Sequence, residues 1–203
     1  MSPIHESIEN AQRMFRMVQD LLAFAKADSY GAKRLVDAGQ TLQAAIDNVK
    51  ESIAEADSVD ISAGPLPKVF IDPTQFVQIF QNLLANSLKY RKPGQKLRVD
   101  VSAVRAGEEW LFTFADNGIG FDQKYAKLIF GVFKRLHTQE AYGGNGMGLA
   151  ICSRIVASNG GRMWAEGQDG VGARFFFTLP ANSQGKNLSS HAKTESEMAQ
   201  PRV

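Results

Sequence analysis

Two runs of alternating apolar and polar residues, Leu97 to Val104 and Trp110 to Phe114, flank Ala106-Gly107. Alternation with a period of two describes a strand with one wet and one dry face, and the short gap between the runs predicts a hairpin. A hairpin that is dry on one face needs covering elements, and the sequence offers them on both sides. Asp72 followed by Pro73 starts a helix that runs to about Tyr90, where Lys92-Pro93-Gly94 stops it. Met147 to Ser158 has helical spacing and ends at Asn159-Gly160-Gly161. A further helix is expected over 40–56, where Leu42, Ile46, Val49 and Ile53 keep the spacing, and a short one over 122–130. Strands are expected at 34–37, at 59–62 and 68–71 around the turn Gly64-Pro65-Leu66-Pro67, and as a closing pair at 162–166 and 173–179. Helices on one side of a mostly antiparallel sheet make an α+β two-layer sandwich.

A different pattern precedes this unit. Ile4, Ile8, Ala11, Phe15, Val18, Leu22 and Ala25 alternate four- and three-residue steps, and Met14, Met17 and Leu21 widen the stripe. Such a helix packs lengthwise against others, most simply in a homodimer through residues 4–27. The expected division is a partial dimerisation helix at 1–30, one α+β domain at 31–180 and a polar, Ser-rich disordered tail at 181–203. The formal net charge is +2 with acids and bases interspersed, which gives no footprint for nucleic acid. No apolar run has the length to cross a bilayer, and Met1-Ser2-Pro3-Ile4-His5 begins no signal peptide. Cys152 is the single cysteine, on an apolar helical pattern, so it is read as core in a reducing, cytoplasmic setting.

Polar residues cluster on the helices and turns of the domain. Asn82 and Asn86 are four apart on one helix and Lys89 follows three later, so the three share a face. A carboxamide oxygen is a hard, neutral ligand suited to Mg²⁺, and a lysine beside it neutralises phosphate oxygens. Ala115-Asp116-Asn117-Gly118-Ile119-Gly120-Phe121 follows a strand directly, which places Asp116 where an acceptor meets an exocyclic amine. Gly118 and Gly120 there allow backbone to approach a flat ligand. Phe130 and Phe133 stand beside Lys134 and Arg135. Last, Tyr142 to Ile151 puts Gly143, Gly144, Gly146 and Gly148 ahead of a helix, so backbone amides converge in a phosphate cradle.

The succession N-L-L-A-N-S-L-K-Y, D-N-G-I-G-F, I-F-G-V-F-K-R-L-H and G-N-G-M-G-L-A-I closely resembles the boxes of sensor histidine kinases. It is similar to their catalytic ATP-binding domain, the Bergerat-type fold shared with gyrase, heat-shock chaperone and mismatch-repair ATPases. R-L-H with Y-G-G-N-G-M-G-L-A-I looks most like the phytochrome-type branch. The resemblance spans about 34–180, and the helix before it resembles the second helix of the dimerisation hairpin.

From the resemblance, ATP and Mg²⁺ are the expected cofactors and a response-regulator receiver domain is an expected partner. Asn86 would hold Mg²⁺ with Asn82 helping to orient it, Lys89 would meet a phosphate, and Tyr90 would flank the nucleotide. Asp116 would accept from the adenine amino group, with Gly118 and Gly120 lining the base pocket. Phe130 and Phe133 would hold a lid over 131–145, mobile in its outer part, and Arg135 would reach the phosphate tail. Gly144, Gly146 and Gly148 would pass amides to the phosphates with Met147 and Leu149 beside them. Asn145 stands where relatives commonly carry threonine.

The phosphoacceptor histidine of such kinases sits in H-E-x-x-x-P on the first hairpin helix. His5-Glu6 lies instead on the helix read as the second, His137 in the lid and His191 in the tail, so the chain is expected to lack that first helix. A nucleotide-sensing dimeric module without kinase turnover is the alternative. An ATP hydrolase of the gyrase type fits less well, because those enzymes carry a glutamate base where this chain has Asn82.

Overall fold

The computed structural model describes residues 11, 14, 15, 17–19, 21, 22, 24, 25, 31–56, 58–136 and 145–181. Elements in chain order are β1 (Arg34–Asp37), α1 (Ala38–Asn48), α2 (Lys50–Ala54), β2 (Val59–Ala63) and β3 (Lys68–Ile71). They continue with α3 (Pro73–Lys89), β4 (Leu97–Ala106), β5 (Glu109–Asp116), α4 (Gly148–Ser158), β6 (Met163–Gln168) and β7 (Gly172–Pro180). Five strands form one sheet in the order β2-β4-β5-β7-β6, parallel only between β2 and β4, while β1 and β3 make a separate antiparallel ribbon.

The alternation of the hairpin explains the core. Phe112 and Phe114 of β5 and Phe175 and Phe177 of β7 point to the same side, with Phe112 opposite Phe177 and their rings stacked at 4.7 Å. Against them α3 lays Phe76 and Phe80, edge-on to Phe112 at 5.9 and 6.4 Å. Edge-to-face and offset pairs of this kind add to the burial of large rings. The covering helices begin where their caps allow: Asp72 Oδ1 accepts from the Thr74 and Gln75 amides, and Pro73 takes the first helical position, where no amide is needed. The Asp37 carboxylate caps α1 in the same way, through the Gly39 and Gln40 amides.

Two expectations about the elements are corrected. The helix at 40–56 starts at Ala38 and divides at Val49, whose φ of −110° and ψ of 12° leave the helical region. The division turns Val49 and Ala56 both into the core, each 8% exposed. The single helix at 122–130 is two 3-10 turns, Gln123–Tyr125 and Leu128–Phe130, neither with a fully buried residue to hold a longer helix against the core. Instead of continuing a helix face, the Gln123 carboxamide accepts from the Gly167 amide and donates to the Ala165 carbonyl, covering the edge of β6. The strands expected on either side of Gly64-Pro65-Leu66-Pro67 are present, and each finds its partner elsewhere: β2 joins β4 and β3 joins β1. Pro65 and Pro67 have no amide to donate across a hairpin, and the Pro67 carbonyl accepts from Ala38 instead.

Residues 11, 14, 15, 17–19, 21, 22, 24 and 25 are helical, in agreement with the apolar stripe; Ile4 and Ile8 lie outside the described residues. Met14, Phe15, Val18, Leu21 and Leu22 are exposed, whereas Phe24 packs on the core with the Arg154 guanidinium of α4 4.5 Å from its ring centre. Among the described residues no helix is long and apolar enough to cross a membrane. The proposed tail, apart from Ala181, lies outside the described residues.

Candidate functional site

A cavity of about 270 Å³ opens between α3, the end of β5, the segment around 129–136 and the start of α4. From separate stretches of sequence it gathers Asn82, Asn86, Lys89 and Tyr90 of α3, Asp116 and Gly120, Arg135, and Gly146, Met147, Gly148 and Leu149. These were expected to share a site, and the fold brings them to one place. Gly118, Phe130 and Phe133 are not in its wall, and Gly144 lies outside the described residues, as do His5, His137 and His191.

Asp116 forms the closed end. It lies on the same face of β5 as Phe112 and Phe114, one alternation further on, which carries its carboxylate beneath α3. Its Oδ1 accepts from the Gly118 amide at 2.9 Å and its Oδ2 from the Ser87 hydroxyl at 2.8 Å. Burial raises this carboxyl above the usual carboxylate value, while the bonds from Gly118, Ser87 and the Ala173 backbone, and the charge of Lys92, pull the other way. Asn117 faces away, its side chain bonding the Arg98 amide and the Lys96 carbonyl and so bracing the loop on β4. The Ile119 amide donates to the Tyr90 carbonyl at 2.9 Å, which fastens the same loop to the end of α3.

The glycines of this loop serve the protein before any ligand. A Cβ on Gly118 would stand 2.7 Å from the Tyr90 carbonyl oxygen, and one on Gly120, whose φ is +69°, 2.0 Å from that of Gln168. Their bareness lets neighbouring backbone close in and hold Asp116, and of the two Gly120 also lines the cavity. Gly146 has φ +70°, and its missing Cβ would press on the Lys134 carbonyl at 2.9 Å. There the two ends of the predicted lid meet.

Phe130 is half-buried on the core, as a lid anchor should be, but Phe133 is 52% exposed with φ +59°. The anchoring expected of Phe133 is therefore absent: the turn that brings Lys134 and Arg135 to the cavity swings the Phe133 ring outward.

At the open end Asn82 has a different setting from Asn86. Its amide donates to the Gly148 carbonyl at 3.3 Å and its side chain also meets Cys152, tying α3 to the first turns of α4. Cys152 itself is buried, its thiol pushed up to about 12 chiefly by burial, so it stays protonated within the core. Asn86 lines the cavity one turn further along, next to Lys89, whose ammonium lies 4.5 Å from the Tyr90 ring centre. Across from them α4 begins without a side-chain cap and without an acid in its first turn. The first amides of a helix have no intrahelical acceptor, so this end offers donors and the positive pole of the helix dipole.

These groups fit a nucleotide with a divalent cation. An acceptor lies at one end, apolar walls from Phe121, Met147, Leu149 and Phe175 in the middle, and amides with Lys89, Lys134 and Arg135 at the other. Among the described residues no group of three or more His, Cys, Asp or Glu could hold a metal alone. A cation here would depend on the Asn86 carboxamide, phosphate oxygens and water, which is how Mg²⁺ is usually held beside a nucleotide.

Ala173 and Phe175 line the cavity from outside the quoted motifs, and Ala85, Phe121, Ile129 and Leu136 line it from within them without having been given a role; Ser87, also within a motif, supports it from behind. Ser87 was still detectable in principle: it continues the buried stripe of Phe76, Phe80 and Leu83, where a hydroxyl implies a partner.

Comparison with known proteins agrees with this geometry. Residues 71–183, more than half of the chain, match the family described as histidine kinase-, DNA gyrase B-, and HSP90-like ATPase. Cyanobacterial phytochrome A of Nostoc sp. is 38% identical over 95% of this chain, which covers 25% of that protein. Sensor protein kinase WalK of Staphylococcus haemolyticus is 31% identical over 85% of this chain and is covered to 29%. The chain thus spans about a quarter of the length of these relatives. Among solved structures, full-length ShkA in complex with AMPPNP superposes with a TM-score of 0.68 at 28% identity, over 85% of this chain and 36% of that one. The mycobacterial sensor histidine kinase MprB shares the fold with a TM-score of 0.62 at 22% identity, over 73% of this chain and 97% of that one. On the family match over residues 71–183, the chain belongs to the histidine kinase-, DNA gyrase B- and HSP90-like ATPases.

Proposed function

We propose that residues 31–180 bind ATP with Mg²⁺ and transfer the γ-phosphoryl group to a histidine on a dimerisation hairpin, for relay to a response-regulator receiver domain. The observation that carries this reading is the convergence of Asn86, Lys89, Asp116, Arg135 and the start of α4 on one cavity. In the transfer, the bond between the γ-phosphorus and its bridging oxygen breaks, a bond from a histidine nitrogen to phosphorus forms, and ADP departs with the oxygen. The bound Mg²⁺ would neutralise charge on the β- and γ-oxygens.

The residues of this chain supply binding and orientation. Asp116 accepts from the adenine amino group, and Tyr90 and Leu149 flank the base and sugar. Lys89, Arg135 and the amides of Gly146 to Leu149 hold the phosphates, and Gly144 adds its amide where the lid closes. Asn86 is the protein ligand to the cation. Asn82 keeps α4 in place so that its amides face the phosphates, and it orients the cation through that placement. Gly118 and Gly120 hold the Asp116 loop, and Phe130 anchors the inner end of the lid. Residues 1–30 supply the dimerisation helix, with contact between copies through 4–27.

Two measurements test the reading. Titration calorimetry should detect ATP with Mg²⁺ on the parent and lose it in Asp116→Asn. Labelled ATP should pass its γ-phosphate to a supplied hairpin bearing the histidine. Binding without transfer to any such hairpin would favour the nucleotide-sensing module instead.

A further inference from the structure

We propose that Ser87 is a positioning residue that fixes the Asp116 carboxylate as an acceptor on both oxygens, so that the cavity selects 6-aminopurine nucleotides over 6-oxopurine ones. The inference rests on the ATP reading above and adds to it the origin of base selectivity.

Ser87 sits on the buried stripe of α3, 1% exposed, among Phe80, Leu83, Leu84 and Leu88. A serine within a helix ordinarily bonds back to the carbonyl four residues earlier. Here the hydroxyl spans to another element and donates to Asp116 Oδ2, while the Gly118 amide donates to Oδ1. With Ser87 on one oxygen, Gly118 on the other and the Ala173 backbone as a third donor, the carboxylate plane is held and its remaining lone pairs keep one direction in the cavity wall.

A fixed carboxylate only accepts. A 6-amino group donates to it, whereas a 6-oxo group brings lone pairs against a negative charge and both remain unpaired in a buried place. Sites built around such a hydrogen bond reject the analogue that lacks it far more strongly than apolar pockets do. Without the Ser87 hydroxyl, Oδ2 loses its side-chain donor. The carboxyl can then turn, and it takes up a proton more readily, which lets it donate to a 6-oxo group. The other charged and titratable groups about Asp116 are Lys92 after α3, Lys89 and Tyr90 at its end, Lys134 and Arg135 across the cavity, and Arg98, Asp100, Glu166 and Arg174 on the far face of the sheet. All of these persist in a Ser87 variant.

The experiment measures dissociation constants for the Mg²⁺ complexes of ATP and ITP on the full chain, parent and Ser87→Ala, from about pH 5 to about pH 8, with thermal melts as the folding control. In Ser87→Ala, ATP affinity should fall about tenfold while ITP changes little, so that the preference for ATP collapses by a similar factor. The acid limb of ATP binding should also move to higher pH. Ser87→Cys, close in size but a weak donor, should follow Ser87→Ala and serves if alanine unfolds the chain. Parent-like preference and a parent-like pH limb in a folded variant overturn the role of Ser87 and leave the ATP reading standing. A parent that binds neither nucleotide overturns both.

Discussion

Burial disfavours the charge that Asp116 needs for its role, and donors from three directions offset that cost. Because the folded carboxyl titrates above its ordinary 3.8, the unfolded chain binds fewer protons between the two values. Stability contributed by this group therefore falls as pH rises through that window and stays low at neutral pH. Asp116→Asn removes the charge while its remaining oxygen can still accept from Gly118, and its new amide can donate to Ser87 Oγ. The ligand-free variant should melt at or above the parent temperature at pH 7, by up to about 4 °C, and the difference should shrink toward pH 4. It should bind no ATP. A melting point more than about 5 °C below the parent would show that the charge itself holds the loop together. The place of Asp116 in the cavity wall was legible from its position after a strand and before Gly118 and Gly120. Its partner Ser87 was not, because a period of 3.6 places the two on a common boundary only once the strand and helix are known to touch.

The elements were read most easily where one physical pattern acted alone. The hairpin β4–β5 follows from alternation, α3 from Asp72 and Pro73, and the end of α4 from Asn159-Gly160-Gly161, where Asn159 is the cap. The readings failed where tertiary contacts decided, at Val49 and in the 3-10 turns, and alternation alone left the partners of β2 and β3 open. The approach of α3 to α4 was equally hidden, and it gives Asn82 its place. Its contact to the Gly148 carbonyl fixes where the first amides of α4 point. Asn82→Ala should cost about 1 kcal/mol of stability and, more tellingly, speed amide exchange over Gly148–Ile151 while weakening ATP binding several-fold. Parent-like exchange in that turn, together with weakened binding, would assign Asn82 to the cation instead.

For the whole molecule the question is what becomes of the helix before β1. Phe24 joins it to α4 through Arg154, and α4 in turn forms one wall of the nucleotide cavity, so helix and cavity share a structural element. Beyond that contact Met14, Phe15, Val18, Leu21 and Leu22 are between 52% and 63% exposed, a contiguous stripe larger than a soluble helix normally leaves uncovered. Fully burying such a side chain stabilises by about 1.5 to 3 kcal/mol, and covering what remains exposed of the stripe in both copies is what would oppose the entropy lost on association. The stripe was legible from its four- and three-residue steps, whereas the role of Phe24 as the junction was not, because it lies off that seam. Val18→Glu with Leu22→Glu places charges at the centre of the proposed contact and leaves Phe24 intact. Sedimentation equilibrium should show the parent as a dimer and the variant as a monomer, with the thermal shift produced by ATP and Mg²⁺ preserved. A variant that stays dimeric would place the contact elsewhere on the molecule. One that becomes monomeric and also loses nucleotide binding would show that the cavity depends on the pairing of the helices.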